Sequence, residues 1–386
     1  MRLSLAAASL ATAVALLAGC TGSPQSSLPS ASQGAANNGG GNELTALPKV
    51  MSREQVSKLH PSVVPKQILE KALQRHRYSH IKIDKSAKPS MVLTDEGGYI
   101  FWLSKKGTIT SYATDCSGVE GGVIDHQGRL VVACTNTSSI NIYNKGNTTG
   151  PADVVLKDTS GFYPADAFED NQGNIFATNL YGFTCGTSTC NSYNGNIVWW
   201  TANNQSAGSS PSGTYSDPNL YQDYFADVDA NGNVYVDGLY CTFGGVYGCY
   251  YGSPEVDTIT NIMGSAPTAT NDNVTLNSPG GINALANGQI SVLDQGCTAY
   301  SCGLAALYLF NALPGTPAAT LTPPQNFRNS CDPVAAGYSK GDKEVLLGDP
   351  GCRAGERGKI SSQSWKSLTS IYFNIPVAGG FLKSDK

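Results

Sequence analysis

Six times after residue 90 the chain repeats one local pattern: an apolar strand, a polar turn closing on glycine, and a second apolar strand. The copies are "VLTDEGGYIFWLS" around Gly98, "VIDHQGRLVVAC" around Gly128, "AFEDNQGNIFATN" around Gly173, "DVDANGNVYVDG" around Gly232, "NALANGQISVLD" around Gly288 and "AAGYSKGDKEVLLGD" around Gly341. Their glycines are spaced 30, 45, 59, 56 and 53 residues apart. This is hairpin chemistry, because Asx and Gly residues adopt the left-handed backbone that tight turns require. A third strand follows most copies ("GTITSYA", "SINIYN", "GNIVWWT", "PEVDTIT", "AALYLFN", "GKISSQSW"), and fourth-strand candidates include "ADVVLKD" and "PAATLT". Helical periodicity is absent after residue 90. A repeat of this length with about four strands per copy predicts an all-β fold, a six-bladed β-propeller over residues 85–386.

The fourth copy also opens D-x-D-x-N-G, the first half of an EF-hand loop. Asp227, Asp229 and Asn231 are therefore candidate calcium ligands. The twelfth position, where a bidentate Glu is needed, is Gly238, and Val234-Tyr235-Val236 reads as a strand. Acids three residues before the glycine recur as Asp95, Asp125, Asp170 and Asp229. Recurrence across copies indicates a structural turn, since an ion site needs only one copy.

The segments "GNIFATN…GNIVWW" and "DANGNVYVDG" resemble NHL-type and gluconolactonase-type (SMP-30-like) six-bladed propellers, over roughly residues 85–381. The resemblance implies that the first strand of each blade lines a central channel. It also implies that loops between second and third strands share one rim with the blade-to-blade connections. A gluconolactonase-type site would hold a channel-end metal. Candidates by that resemblance are Glu120, Asp166 and Asp332 at first-strand entries, with Asn179, Asp294 and Asp349 at second-strand ends. The only histidine of this region, His126, lies in a turn away from any expected channel mouth, and no G-x-S-x-G elbow with a partner histidine is present.

The N-terminus carries a different message. Arg2 precedes a short apolar run, Leu3 to Leu17, too brief for the usual membrane span. The run ends in Leu17-Ala18-Gly19-Cys20, which resembles the lipobox of bacterial lipoproteins. By that resemblance residues 1–19 are a signal peptide, Cys20 carries the lipid (palmitate among its acyl chains), and the protein is exported and anchored at the cell envelope. Residues 20–50 are Ser-, Gly-, Asn- and Ala-rich and read as a flexible tether. Residues 51–84 form a short basic segment, with a helix expected over "VVPKQILEKALQRHRY".

From residue 91 onward 14 Lys and Arg face 25 Asp and Glu, and no basic residue occurs between Lys157 and Arg328. A nucleic-acid partner is excluded on this charge, whereas a cationic peptide or protein, or metal ions, would be attracted. Without Cys20 ten cysteines remain, an even number in an exported chain. Connectivity is open in principle. Local pairing is the economical choice: Cys116–Cys134, Cys185–Cys190, Cys241–Cys249, Cys297–Cys302 and Cys331–Cys352, five intra-blade bridges. By the resemblance, the second, third and fourth of these pairs fall in second-to-third-strand loops of consecutive blades. Those loops are rich in Tyr181, Tyr193, Tyr240, Tyr247, Tyr250, Tyr251 and Tyr300, and they lack Lys and Arg. Rigid amphipathic rings of this kind suit recognition of a glycan or peptide. The expectation is a binding or scaffold propeller. Its alternatives are a metal-dependent lactonase and a structural envelope component.

Overall fold

The computed structural model describes residues 50–57, 81–159, 162–217, 220–241, 244–245, 248–249, 252–296, 305–323, 333–368 and 376–382. An N-terminal strand β1 (Val50–Ser52) leads into a single helical turn, α1 (Arg53–Ser57). Ser52 and Gln55 cap that turn reciprocally, with Ser52 N donating to Gln55 Oε1 at 2.8 Å and Gln55 N to Ser52 Oγ at 3.1 Å. The expected basic helix over residues 63–78 lies outside the described residues.

Blade 1 contains β2 (Pro89–Asp95), β3 (Tyr99–Ser104) and β4 (Ile109–Ala113), and blade 2 contains β5 (Val119–Ile124), β6 (Leu130–Cys134), β7 (Ser139–Tyr143) and β8 (Val154–Lys157). Blade 3 is built from β9 (Phe162–Glu169), β10 (Ile175–Cys185), β12 (Asn196–Trp200) and β13 (Gly213–Tyr215), with β11 (Thr189–Tyr193) hydrogen-bonded to the far end of β10. Blade 4 comprises β14 (Leu220–Val228), β15 (Val234–Cys241), β18 (Gly252–Thr260) and β19 (Thr268–Asn271). A separate small hairpin, β16 (Gly244–Gly245) with β17 (Gly248–Cys249), lies between its second and third strands. Blade 5 is β20 (Pro279–Ala284), β21 (Ile290–Asp294), β22 (Ala306–Phe310) and β23 (Ala319–Leu321). Blade 6 is β24 (Ala335–Tyr338), β25 (Glu344–Asp349), β26 (Ala354–Lys359) and β27 (Ser364–Ser367). The last strand, β28 (Pro376–Phe381), pairs with β2 and completes blade 1 as its innermost strand. Six antiparallel four-stranded blades therefore form a ring, and the expected six-bladed propeller is the observed fold.

This closure shifts the phase of blade 1. The Gly98 turn joins its second and third strands, whereas the turns at Gly128, Gly173, Gly232, Gly288 and Gly341 join first and second strands. "GTITSYA" is accordingly a fourth strand and not a third. Hairpin chemistry is local, so nothing in the Gly98 turn itself records its place in the ring. The closing strand is β28; Ile81–Asp84, one segment that could have served from its sequence, is not a strand, and the other, "SIYFNI" (370–375), lies outside the described residues.

The inner strands are rich in Gly and Ala because their backbones converge near the axis. A β-carbon on Gly337 of β24 would overlap the Gly379 carbonyl of β28, and one on Gly121 of β5 would overlap the Asp166 carboxylate of β9. Away from the axis, apolar faces of adjacent blades bury one another, as where Phe168, Phe176 and Ile197 of blade 3 meet Val234, Val236 and Ile259 of blade 4. Polar stitches reinforce the seams. Thr94 Oγ1 donates to the Glu120 carbonyl at 3.0 Å, Thr135 Oγ1 to that of Pro164 at 2.7 Å and Thr178 Oγ1 to that of Tyr224 at 2.6 Å. Each links the second strand of one blade, or the residue after it, to the first strand of the next, satisfying an inner carbonyl that has no sheet partner on that side.

Candidate functional site

Two rims result. The upper rim gathers the loops between second and third strands and the connections between blades, and the lower rim gathers the remaining turns. On the upper rim of blade 3, β10 outruns its sheet: Ile175–Asn179 pair with β12, and Gly182–Cys185 pair with β11 instead. The free edge of β11 takes β1, in the register Val50↔Asn191, Met51↔Cys190 and Ser52↔Thr189. Met51 is 6% exposed and packs in a cluster that includes Tyr163, Leu180, Tyr181 and Tyr224. Arg53 Nε donates to the Gly186 carbonyl at 2.7 Å. In blade 4, β15 and β18 stay paired from Val234↔Ile259 up to Cys241↔Gly252, with the β16–β17 hairpin between them in sequence.

The cysteines follow this plan. Cys116 and Cys134 are disulfide-bonded, 18 residues apart. The bond is not confined to one blade. Cys116 lies in the connection leaving blade 1, and Cys134 ends the second strand of blade 2, so the bridge pins the seam between them. The phase shift of blade 1 is the reason for that correction. Cys190 is disulfide-bonded and faces Cys185 across the β10–β11 hairpin. Cys352, in the turn between β25 and β26, is also disulfide-bonded. Cys241 ends β15 and Cys249 ends β17, while Cys297, Cys302 and Cys331 lie outside the described residues.

Of the tyrosine candidates, Tyr181 is 5% exposed within the cluster around Met51. Tyr193 lies on β11 opposite Gly182, and Tyr240 on β15 opposite Ser253. Tyr247, Tyr250, Tyr251 and Tyr300 lie outside the described residues. The sequence reading missed β1 as a rim element. Its one signal was S-x-x-Q at Ser52–Gln55, a capping pattern that marks a chain about to turn.

The acidic candidates are held by the fold. Glu120 is buried on β5, and Asp332 lies outside the described residues. Asp166 accepts from Ala167 N at 2.8 Å and, across the seam, from Ala226 N at 3.3 Å. Asp227 repeats the device one blade on, accepting from Val228 N at 2.8 Å and from Ala284 N at 2.9 Å. Burial dominates both: it raises the Asp166 carboxyl well above the usual range and pushes Asp227 up to about 7, against those N–H donors. Asp229 accepts from Asn231 N at 2.8 Å, from Asn233 N and Nδ2 at 2.9 Å, and from Tyr235 Oη at 3.1 Å. Burial raises Asp229, but these donors outweigh it and leave the carboxyl below its ordinary value. The D-x-D-x-N-G stretch thus forms an Asx turn, with Gly232 at φ +83°. Among the described residues no group of three or more His, Cys, Asp or Glu is arranged to hold a metal ion.

The polar groups at second-strand ends have a common task. Asp294 accepts from Asn277 N and Nδ2 and from Gly296 N, each at 2.9 Å, and from Ser278 N at 3.2 Å. Asn179 Nδ2 donates to Asp158 Oδ2 at 2.7 Å and to Asn196 Oδ1 at 2.9 Å. Both tie the incoming blade-to-blade connection to the top of the blade. A different case is Asp223 on β14. It is fully buried, and neither of its carboxylate oxygens has a hydrogen-bond partner among the described residues. Burial, then the neighbouring Asp217 and Asp257 carboxylates, push it well above the usual range. On the lower side a cavity of about 550 Å³ opens between the inner strands, reached by Asp166, Asp227, Asn283 and Tyr338.

No family model matches the chain, and no curated protein matches it. Solved structures do. A chain of the crystal structure of a nidogen/laminin complex superposes with TM-score 0.54 at 14% identity, over 78% of this chain and 100% of that one. A functionally unknown protein from Desulfotomaculum acetoxidans DSM 771 gives TM-score 0.50 at 12% identity, over 77% and 100%. A streptogramin B lyase structure gives 0.47 at 14% identity, over 78% and 88%. At such identities the likeness speaks to fold alone. The chain is a β-propeller with six blades, closed by its C-terminal strand.

Proposed function

We propose that this propeller is an exported, lipid-anchored binding protein of the bacterial cell envelope, which recognises a glycan or an extended peptide through its upper rim. Lipidation would fall on Cys20, and the finer kinship would be with NHL- and SMP-30-like propellers. The observation that carries the reading is the asymmetry of the rims. In two consecutive blades the hairpins between second and third strands are lengthened, with cysteines along them, and in blade 3 a third strand from the N-terminal segment is added. A purely structural ring has no need of such extensions, and binding functions concentrate in loops held by rigid scaffolds. The tyrosines of these loops other than the buried Tyr181 would supply contact area at small entropic cost.

The test is binding of the full chain to glycan and peptide arrays. Combined Tyr240→Ala, Tyr250→Ala and Tyr300→Ala substitution should reduce the captured signal at least tenfold. Unchanged capture by that variant would remove the rim from consideration. Incorporation of an alkyne-tagged palmitate that disappears in Cys20→Ala would support the anchor.

A further inference from the structure

A second concavity lies on the same lower side, at the seam where blade 6 meets the closing strand of blade 1. It encloses about 650 Å³. Its lining includes five cations, Lys105, Lys340, Lys343, Arg357 and Lys359, against two carboxylates, Asp342 and Glu344. That concentration stands out in a domain whose residues from 91 onward carry 14 basic against 25 acidic side chains.

The five cations are not equivalent. Arg357 Nη2 donates to both Glu344 oxygens at 2.7 and 2.6 Å, and Nη1 donates to the Lys105 carbonyl at 2.9 Å. Its guanidinium stands 5.8 Å from the centre of the Phe381 ring. Arg357 is thus committed to building the wall. The ammonium groups of Lys105, Lys340, Lys343 and Lys359 form no ion pair among the described residues, and all four side chains are exposed. The floor between them is apolar, with Met91, Ile360, Phe381 and Leu382. Four ammonium groups without ion-pair partners among the described residues, set around an apolar floor, match a ligand with a compact anionic head and an apolar body. Lys acts on phosphate as a point charge, needing no planar partner as a carboxylate–guanidinium fork does.

We propose that this pocket binds a phosphate ester with an apolar portion, of which an anionic phospholipid is one source and a free phosphate ester the other. The inference is independent of the reading of the upper rim. Basic pockets with apolar walls are a recurrent way of holding such heads. The positions also explain why the feature arises only in the closed ring. Lys105 sits in the β3–β4 turn of blade 1, and Lys340, Lys343 and Lys359 come from blade 6. Strand β28, which contributes Phe381, joins the two.

The experiment is calorimetric titration of the full chain at low salt with three probes. These are dihexanoyl phosphatidylglycerol below its micellar concentration, dihexanoyl phosphatidylcholine, and hexyl phosphate. The phosphatidylglycerol should bind at least tenfold tighter than the phosphatidylcholine. The combined variant Lys105→Gln, Lys340→Gln, Lys343→Gln and Lys359→Gln should lose at least tenfold in that affinity. Hexyl phosphate binding as tightly as the lipid would assign the pocket to free phosphate esters. Weaker binding would assign it to lipid. Either result supports the phosphate site. Should the fourfold variant unfold, Lys340→Gln with Lys343→Gln serves in its place, with a loss of at least threefold expected. Equal affinity for wild type and variant, or no binding of either anion, overturns the proposal.

Discussion

The two rims of this ring are made from the same four-stranded blades and could hardly differ more. On the lower rim, five first-to-second-strand turns repeat one geometry, with Gly128, Gly173, Gly232, Gly288 and Gly341 at φ between +74° and +84°. Each leaves five residues between its paired strands, and the charge near the closing seam is positive. On the upper rim, the second-to-third-strand connections of blades 3 and 4 are long, cysteines pin the rim, and the N-terminal strand β1 joins in. The lesson is a division of labour within each blade. In five of the six blades the turn that sets the repeat is confined to one end, so the other end is free to vary from blade to blade without disturbing the ring.

That contrast can be broken most sharply at the axis. Gly337→Val places a branched side chain against the Gly379 carbonyl between the first and last blades. A loss of more than about 3 kcal/mol is expected in denaturant unfolding. A wild-type midpoint would show that the inner strands have slack.

The upper rim should depend on its cross-links. Replacing Cys116 and Cys134 together by serine opens a bridge that spans 18 residues of sequence. That should cost about 3 kcal/mol, measured as a lower unfolding midpoint under non-reducing conditions. The same variant should leave phosphate-ester binding on the lower rim unchanged, which separates the two ends functionally.

Buried carboxylates give a smaller effect with an unusual sign. Burial raises Asp227 to about 7 and Asp272 to about 6, and raises Asp166, Asp223 and Asp237 as well. An unfolded aspartate titrates near about 3.9. Between about pH 4 and 7 the folded chain therefore holds protons that the unfolded chain has released, so stability falls as pH rises through that window. Asp229 works in the opposite direction, and its contribution is lost only as the pH falls below its ordinary range. The melting temperature should be several degrees higher at pH 5 than at pH 8. A flat profile would mean that these carboxylates are solvated. Asp223→Asn should raise stability at pH 8 by about 1 kcal/mol or more, since it removes a buried charge with no partner among the described residues. A fall instead, together with a melting temperature that responds to calcium in the wild type, would show that Asp223 serves a cation.

The smallest expected change lies in the repeat itself. Gly232→Ala, at φ +83° with open space around its would-be β-carbon, should cost about 1 kcal/mol from backbone strain alone. A loss well beyond that would point to a second role for the Asp227–Asn231 turn.

How much of this was readable in the chain follows from the range of each interaction. Turn chemistry is local, so all six hairpins stood out, and their number gave the number of blades. Phase is not local. The Gly98 hairpin looks like its siblings although it faces the other rim, because only the pairing of Pro376–Phe381 with Pro89–Asp95 assigns it. Asp227 illustrates a second limit: its spacing suggested ion binding, but the Ala284 N–H it accepts is 57 residues away and belongs to the next blade. The lysine pocket was invisible for the same reason. Lys340 and Lys343 appeared in the quoted hairpin, but Lys105 is brought beside them only when the ring shuts.

That manner of shutting has a consequence for how the molecule is made. Blade 1 is begun by residues near 90 and finished by residues near 380, so its first three strands wait with an open edge while the other five blades are synthesised. An unpaired strand edge is a template for wrong partners. The nascent chain needs protection for the whole of that interval, and loss of the final strand should leave an unclosed ribbon prone to association between copies, where loss of a surface loop would leave a ring.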